Sequence, residues 1–168
     1  MARNENTTTL YNSIKKLIDT AKSKIVRNVN ATMVLTYYAI GKVIVDDEQN
    51  GKYRAEYVKQ VLSQLSIQLS KEFGKGYSLT NLEYIRKFYK IYQSRIPQSV
   101  VGKLGMGKTS PKSKIPQSLI EESTSPFLLS WTHYIQLIKI ENDDERNFYE
   151  IEASQGNWSV RELQRQFN

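Results

Sequence analysis

A glycine-containing turn between two helical patterns is the feature that most limits how this chain can fold. Residues 57–73 place apolar side chains at helical spacing, and Gly74 follows them as a natural C-terminal cap. The second pattern starts at Ser78, which can cap a helix, and it runs to Tyr92 with one apolar face. Many DNA-binding proteins present a recognition helix in this arrangement, and many plain helical hairpins also share it.

Helical periodicity also precedes this pair. Residues 10–25 carry one apolar stripe with the lysines off it, and the stripe consists of Leu10, Ile14, Leu17, Ala21 and Ile25. Residues 29–48 are apolar on most sides, which predicts a central helix, with a short β segment at 43–45 as the alternative. Gly41 within that helix costs about 1 kcal/mol relative to alanine, and the close approach of another helix would explain it.

Three more helical patterns follow near residues 130–138, 142–156 and 159–167. Asn142 and Ser130 are positioned as N-caps, and Ser159 forms a capping box with the glutamate three residues later. The sequence therefore predicts an all-α bundle of about seven helices with helix-turn-helix-like pairs, in which a minor β element is the one alternative.

The segment 93–126 differs in kind from the rest. It holds all four prolines and three of the eight glycines, and it repeats Ile-Pro-Gln-Ser at 96–99 and 115–118. Because no apolar periodicity accompanies the repeat, we expect a flexible, basic Pro/Ser/Gly-rich insertion in a single helical domain spanning 1–168. Residues 102–109 match the phosphate-loop pattern GxxxxGK[ST], but neither a buried strand before them nor a helical stripe after them supports that function.

The amino-acid composition limits which catalytic and metal-binding sites this chain can form. The chain has no cysteine, which excludes thiol catalysis and cysteine-bound metals. It has one histidine, His133. The acid clusters at 46–48 and 143–145 lack the spacing of a nuclease metal site and suit helix ends. We therefore expect no catalytic residues, no metal and no cofactor. No apolar run reaches membrane length and the N-terminus lacks a signal-peptide pattern, so we expect a cytoplasmic protein without a membrane partner.

The charge is uneven along the chain, with a net value of +7. Residues 1–36 have six Lys/Arg against two Asp/Glu, residues 71–126 have ten against four, and residues 141–168 have three against seven. Such basic zones attract polyanions. Asparagine can form two hydrogen bonds with adenine, and arginine and lysine can bind guanine or phosphate. The alternative interpretation of such side chains on a helix is a face that is merely solvated. The predicted DNA-binding residues are Lys75, Ser78, Thr80, Asn81, Arg86, Lys87, Lys90, Arg161 and Arg165.

Several longer stretches carry a family resemblance. They are LTYYAIG at 35–41, GYSLTNLEYIRKFY at 76–89, LSWTHY at 129–134, ERNFY at 145–149 and NWSVREL at 157–163. With these stretches, the chain resembles the N-terminal domain of the YhcG-like family, bacterial proteins whose C-terminal half is a PD-(D/E)XK nuclease-like domain. The resemblance covers nearly the whole chain except the 93–126 insertion, which is similar to the family's variable loop.

The resemblance implies a helical, winged-helix-like module that binds DNA and delivers a nuclease, in a setting such as mobile-element defence or restriction. No catalytic residues carry over, because the nuclease half would follow Asn168. We therefore expect a non-catalytic module that binds DNA, duplex in particular. The alternative is a helical protein–protein interaction module, whose partner is a second copy of the chain or a nuclease or restriction subunit.

Overall fold

The computed structural model describes residues 2–50, 55–96 and 125–167. These residues form α1 (Ala2–Asn50), α2 (Ala55–Phe73), a 3₁₀ helix (Lys75–Tyr77), α3 (Leu79–Tyr92), α4 (Trp131–Leu137), α5 (Asp143–Gln155) and α6 (Val160–Phe167). The predicted all-α class is confirmed, with six α-helices in the described ranges instead of about seven. A β wing would need strands, and the described ranges hold none, so the winged-helix detail stays a prediction. Most of the predicted insertion, including the 102–109 motif, lies outside the described residues.

The first two predicted helices are one continuous helix of 49 residues. Residues 26–29 contain neither glycine nor proline, so nothing in the chain ends the helix there. The hydroxyls of Thr32 and Thr36 donate to carbonyls one turn earlier, at 2.8 Å in both cases, so both hydroxyls are satisfied within the helix. The helical prediction for 29–48 is confirmed, and the β alternative at 43–45 is wrong.

The C-terminal half of α1 packs closely on α3 at Gly41. A Cβ atom at this position would lie 2.6 Å from the carbonyl oxygen of Ile85 and 2.7 Å from Cβ of Tyr89. Only glycine therefore allows the two helices to approach this far, which confirms the close approach inferred from the sequence. The predicted inward face of α3 is also confirmed, since Leu82, Ile85 and Tyr92 are buried together with Phe88 and Tyr89.

An aromatic cluster fills the space between α1, α3 and α4. The ring of Phe88 lies 5.0 Å from that of Phe127 and 5.1 Å from that of Tyr134, centroid to centroid. Tyr38 of α1 meets Phe88 edge-on at 6.3 Å. Such pairs add about 0.5–1.5 kcal/mol each beyond the area that they bury. Phe127 thus anchors the chain in the core where the described residues resume after the insertion.

A buried carboxylate joins α5 to this cluster. Glu150 accepts hydrogen bonds from the hydroxyls of Tyr134 at 2.9 Å and Tyr92 at 3.2 Å, and from Nη1 of Arg95 at 2.6 Å. Burial, followed by the charge of Glu150, raises the pKa of both tyrosines above the ordinary value. The C-terminal helices are therefore held to α3 by a polar network within an otherwise apolar core.

The ends of the C-terminal helices mostly follow the predicted capping. Asn142 accepts from the backbone N–H of Glu145 at 2.9 Å, and Ser159 and Glu162 bond each other's backbone N–H groups as a capping box. Ser130 precedes α4 as predicted, but its hydroxyl contacts Thr132 and His133 instead of a backbone N–H of the helix. The cap function expected of Ser130 is thus replaced by a side-chain contact.

Candidate nucleic-acid interface

Asn81, the predicted adenine-contacting residue, is engaged inside the protein. Its Nδ2 donates to the carbonyl of Gly76 at 2.5 Å, and its Oδ1 accepts from the indole N–H of Trp131 at 2.8 Å. The side chain therefore ties the turn before α3 to the start of α4. Ser78 caps α3 as predicted, accepting from the backbone N–H of Asn81 at 3.3 Å. Both residues have structural contacts in this position, and base contact by Asn81 would require it to give up two hydrogen bonds.

Arg86 and Lys90 face the last turn of α1. Arg86 holds both carboxylate oxygens of Glu48 through Nε and Nη2, the second bond being 2.8 Å long. Lys90 Nζ lies 3.6 Å from the same carboxylate, whose side chain is only 14% exposed. A bidentate arginine–carboxylate pair is among the stronger polar contacts in proteins. Glu48 therefore neutralises one of the two positive charges that Arg86 and Lys90 add to the surface of α3.

The other predicted contact residues are exposed but scattered. Lys75, Thr80 and Lys87 are exposed near or on α3, where exposed Glu83 lies one turn from Lys87. Arg161 and Arg165 are exposed on α6, and Arg165 Nε donates to the carbonyl of residue 161 at 3.3 Å. Since α3 packs mainly on α1 and α6 packs on α4, different parts of the bundle carry the two sets of cations.

A wide basic cleft lies elsewhere, between the N-terminal half of α1 and the body. Its volume is about 1040 Å³, and its α1 wall carries four cations, Lys15, Lys16, Lys24 and Arg27, against one acid, Asp19. The opposite wall is mostly polar or aromatic and includes Ser125, Leu128, Ser130, His133, Ser154, Asn157 and Trp158. Arg27 joins the two walls, because its Nη2 donates to Oδ1 of Asn157 at 3.1 Å.

Helical geometry explains why these side chains line the cleft. Lys16, Ser23 and Arg27 lie on the same face of α1 as Val34 and Tyr38, because spacings of four and seven residues return to one side of a helix. Val34 and Tyr38 are buried against the body. The face is thus apolar where α1 packs on the body and basic where α1 extends past it, which leaves an open cleft.

His133 shapes the opposite wall of the cleft. Its Nε2–H donates to the carbonyl of Trp158 at 2.9 Å, and in the neutral ring Nδ1 accepts from the hydroxyl of Ser130 at 2.7 Å. Both ring nitrogens are therefore used to hold the start of α4 against the turn before α6.

Sequence reasoning missed this cleft. The signal was the excess of six basic over two acidic residues in 1–36, with the lysines off the apolar stripe. The described ranges contain no group of three or more His, Cys, Asp or Glu side chains that could hold a metal ion. They also contain no helix long and apolar enough to span a bilayer.

Comparison with known proteins places the chain in a family. The family described as "DUF1016 N-terminal domain" matches residues 13–168. A protein of Escherichia coli (strain K12) named "Putative nuclease YhcG" is 38% identical over 163 residues, which cover 94% of this chain and 43% of that protein. The chain thus spans less than half the length of this curated relative. No solved structure matches the chain. The chain therefore belongs to the DUF1016 N-terminal domain family, as the N-terminal domain of a YhcG-like protein.

Proposed function

We propose that this domain is a non-catalytic DNA-binding module that positions a nuclease domain on duplex DNA. The observation that carries the proposal is the basic cleft, in which four cations of α1 oppose one acid. The name of the relative adds support, since a nuclease domain must be held on its substrate while it acts.

The dimensions of the basic cleft suit a stretch of phosphate backbone. Lys15 and Arg27 are twelve residues apart on a helix, which corresponds to about 18 Å along its axis. One strand of a duplex presents a phosphate for every 3.4 Å of the duplex axis, so a wall that runs parallel to this axis can lie beside about five of them. Lysine and arginine would neutralise phosphates, while the hydroxyls of Thr20 and Ser23 could donate to phosphate oxygens. Contacts of this kind give affinity without sequence preference.

The cations predicted from the sequence have a secondary place in this proposal. Lys75, Lys87, Arg161 and Arg165 are exposed and could contact phosphates outside the cleft. Arg86 and Asn81 already have partners within the domain, so we do not assign base readout to them.

Fluorescence anisotropy with a labelled duplex of about two helical turns tests the proposal. The variant Lys15→Ala/Lys16→Ala/Lys24→Ala removes three cations of the cleft. It should bind at least tenfold more weakly at moderate salt, because fewer counterions are released from the DNA when phosphate contacts are lost. A matched control, Lys59→Ala/Lys71→Ala/Lys139→Ala, removes three exposed lysines elsewhere and should retain most of the affinity. Equal losses in both variants would reduce the effect to net charge and contradict the proposed site.

The α3 surface is tested beside the cleft with Lys75→Ala/Lys87→Ala. Both residues are exposed, so the change should leave the fold intact. We expect a weaker effect than that of the cleft variant. A large loss here, with full affinity in the cleft variant, would return the main contact to the helix predicted from the sequence.

The alternative function, a protein–protein interaction module, is favoured by a different observation. The N-terminal half of α1 exposes a row of large apolar side chains, among them Leu17 at 71% and Ile25 at 64%. Contiguous exposed apolar surface of this kind marks interaction sites. The two functions use opposite faces of α1 and can coexist in one domain.

A further inference from the structure

No residue in the described ranges covers the apolar face of α1 over about five turns of helix. Its large side chains are between 47% and 71% exposed, and they are Leu10, Tyr11, Ile14, Leu17, Ile18, Ile25 and Val29. Spacings of three and four residues place them on one side of the helix. In proteins most of the stability of a helix comes from packing an apolar face. This part of α1, residues 10–29, is called the arm below.

The described part of the body, within residues 55–96 and 125–167, does not cover this face. The face of α1 that lines the basic cleft, marked by Lys16 and Arg27, continues into the face buried on the body at Val34 and Tyr38. The arm's apolar side chains lie on the opposite side, away from the body. Because α1 is a single helix without a break, the arm cannot rotate independently to turn that face inward.

The spacing within the arm is that of a coiled-coil seam. Tyr11, Ile14, Ile18, Ala21 and Ile25 follow each other at intervals of three, four, three and four residues, which are positions a, d, a, d and a of a heptad. Asn28 takes the next d position and ends the apolar seam. β-Branched isoleucine at two of the three a positions is half of the pattern that favours two strands in parallel dimers. The other half, leucine at d, is absent, since the d positions hold Ile14, Ala21 and Asn28.

The residues beside the seam select the orientation. In a parallel pair, position g of one helix meets position e of the next heptad on the other. Leu10 then meets Lys15 and Leu17 meets Lys22, so that each lysine can lay its aliphatic stem over a leucine. In an antiparallel pair, e positions face each other, which would bring Lys15 and Lys22 of the two copies together. Charge therefore favours the parallel arrangement and disfavours the antiparallel one.

The area is sufficient for a stable dimer. The seven exposed side chains are 47–71% exposed, and the largest, Tyr11, is of a type that buries 150–250 Å² in full, so each would bury at most roughly 100 Å² when covered. The sum is at most about 700 Å² per copy, within the range of about 600–1,000 Å² per partner for standard interfaces. The bodies would lie on the outside of such a pair, because each body is attached to the face opposite the seam.

We propose that the arm is a self-association surface, through which two copies of this chain form a parallel, two-stranded coiled coil. The middle of the basic cleft, at Lys16 and Arg27, then faces outward in each copy, while Lys15 and Lys24 of the cleft lie at the edges of the seam. This inference is independent of the proposed DNA binding and concerns the protein without nucleic acid.

Sedimentation equilibrium of the full chain at high salt, without DNA, tests the association. We expect a dimer at tens of micromolar, and a monomer for Ile18→Asp/Ile25→Asp. The matched control Val26→Asp/Ile67→Asp places two aspartates at positions that are as exposed, 57% and 68%, but lie off the seam, and it should remain dimeric. A monomeric wild-type chain, a dimeric seam variant or a control that dissociates equally would overturn the proposal. Monomeric wild type is also the result expected if the face serves a different protein.

Disulfide trapping tests the orientation, because the chain has no cysteine of its own. In a parallel, in-register pair the two residues at position 14 face each other across the seam, within the Cα separation that a disulfide can bridge. Ile14→Cys should therefore form a covalent dimer on oxidation, while Val26→Cys, off the seam, should not. Failure of Ile14→Cys to cross-link in a chain that sediments as a dimer would refute the parallel register. Neither result depends on whether the basic cleft binds DNA.

Discussion

Substitution of Arg86 is the clearest way to distinguish a DNA-contacting role from a structural role for a residue of α3. In the structure Arg86 forms a bidentate pair with Glu48, and the two side chains are 32% and 14% exposed. Arg86→Ala would leave the Glu48 carboxylate poorly solvated, with Lys90 at 3.6 Å as its remaining cation in the described ranges. We therefore expect the substitution to lower the stability of the domain and to leave the DNA affinity of the folded protein nearly unchanged.

The magnitude follows from the burial of the pair. Removing one partner of a fully buried ion pair costs 3–5 kcal/mol, and an exposed pair contributes at most about 1 kcal/mol. For a pair of intermediate burial with two hydrogen bonds we expect a loss of about 2 kcal/mol, equivalent to a fall in Tm of roughly 4–8 °C for a chain of this size.

Urea unfolding followed by circular dichroism measures this loss, with the double-mutant cycle of Arg86→Ala and Glu48→Ala to isolate the coupling. We expect a coupling energy of about 1.5 kcal/mol between the two residues. Arg161→Ala, an exposed arginine on α6, is the control and should stay within about 0.5 kcal/mol of wild type. Unchanged stability of Arg86→Ala together with a large loss of DNA affinity would refute the structural role and favour recognition by α3.

Three further predictions concern the packing of the bundle. Gly41→Ala should destabilise the domain by about 2 kcal/mol, because the clash with α3 outweighs the gain in helix propensity, whereas Gly76→Ala, with its nearest atom at 3.6 Å, should be nearly neutral. Glu150→Ala should cost about 3 kcal/mol in urea unfolding, since it leaves two buried tyrosine hydroxyls without their acceptor. Burial raises the pKa of Tyr92 and Tyr134, so above about pH 10 the unfolded chain loses these protons while the folded domain keeps them. The free energy of unfolding should therefore be independent of these two tyrosines below about pH 10 and fall above it, by about 1.4 kcal/mol per tyrosine for each pH unit.

Each of these has a result that would contradict it. A Gly41→Ala variant as stable as wild type would show that α1 and α3 are further apart than described. Wild-type stability in Glu150→Ala would mean that water satisfies the tyrosines. The alkaline loss should become less steep in Tyr134→Phe, while Tyr11→Phe, at an exposed site, should not change it. An equally steep loss in Tyr134→Phe would remove that tyrosine from the explanation.

Much of the fold could be predicted because its determinants are local. Periodicity predicted the buried face of α3, and the caps Asn142 and Ser159 marked the starts of two helices. Gly41 indicated a close helix contact, since glycine in the middle of a helix needs a reason. The junction between residues 25 and 29 was placed wrongly, because the absence of any helix breaker there was a stronger signal than the change in apolar pattern.

The candidate site was harder to predict because its determinants are distant in sequence. Glu48 is 38 positions from Arg86, and Trp131 is 50 positions from Asn81, so no local pattern shows that these side chains have partners. The basic cleft likewise requires α1 to pass beside the chain around α4 and α5. Side-chain type alone predicted a recognition surface on α3. Because the tertiary contacts give Arg86 and Asn81 partners inside the domain, the proposal favours the basic cleft instead.

The salt dependence of duplex binding tests the central claim most directly. Plotted as the logarithm of the binding constant against the logarithm of salt concentration, each phosphate contact contributes a slope of about −0.9. Relative to wild type, the slope of Lys15→Ala/Lys16→Ala/Lys24→Ala should become less negative by about 2.7, and that of Lys59→Ala/Lys71→Ala/Lys139→Ala should change little. A cleft variant that keeps the wild-type slope would contradict the account, because the lysines of α1 would then have no part in holding the phosphate backbone.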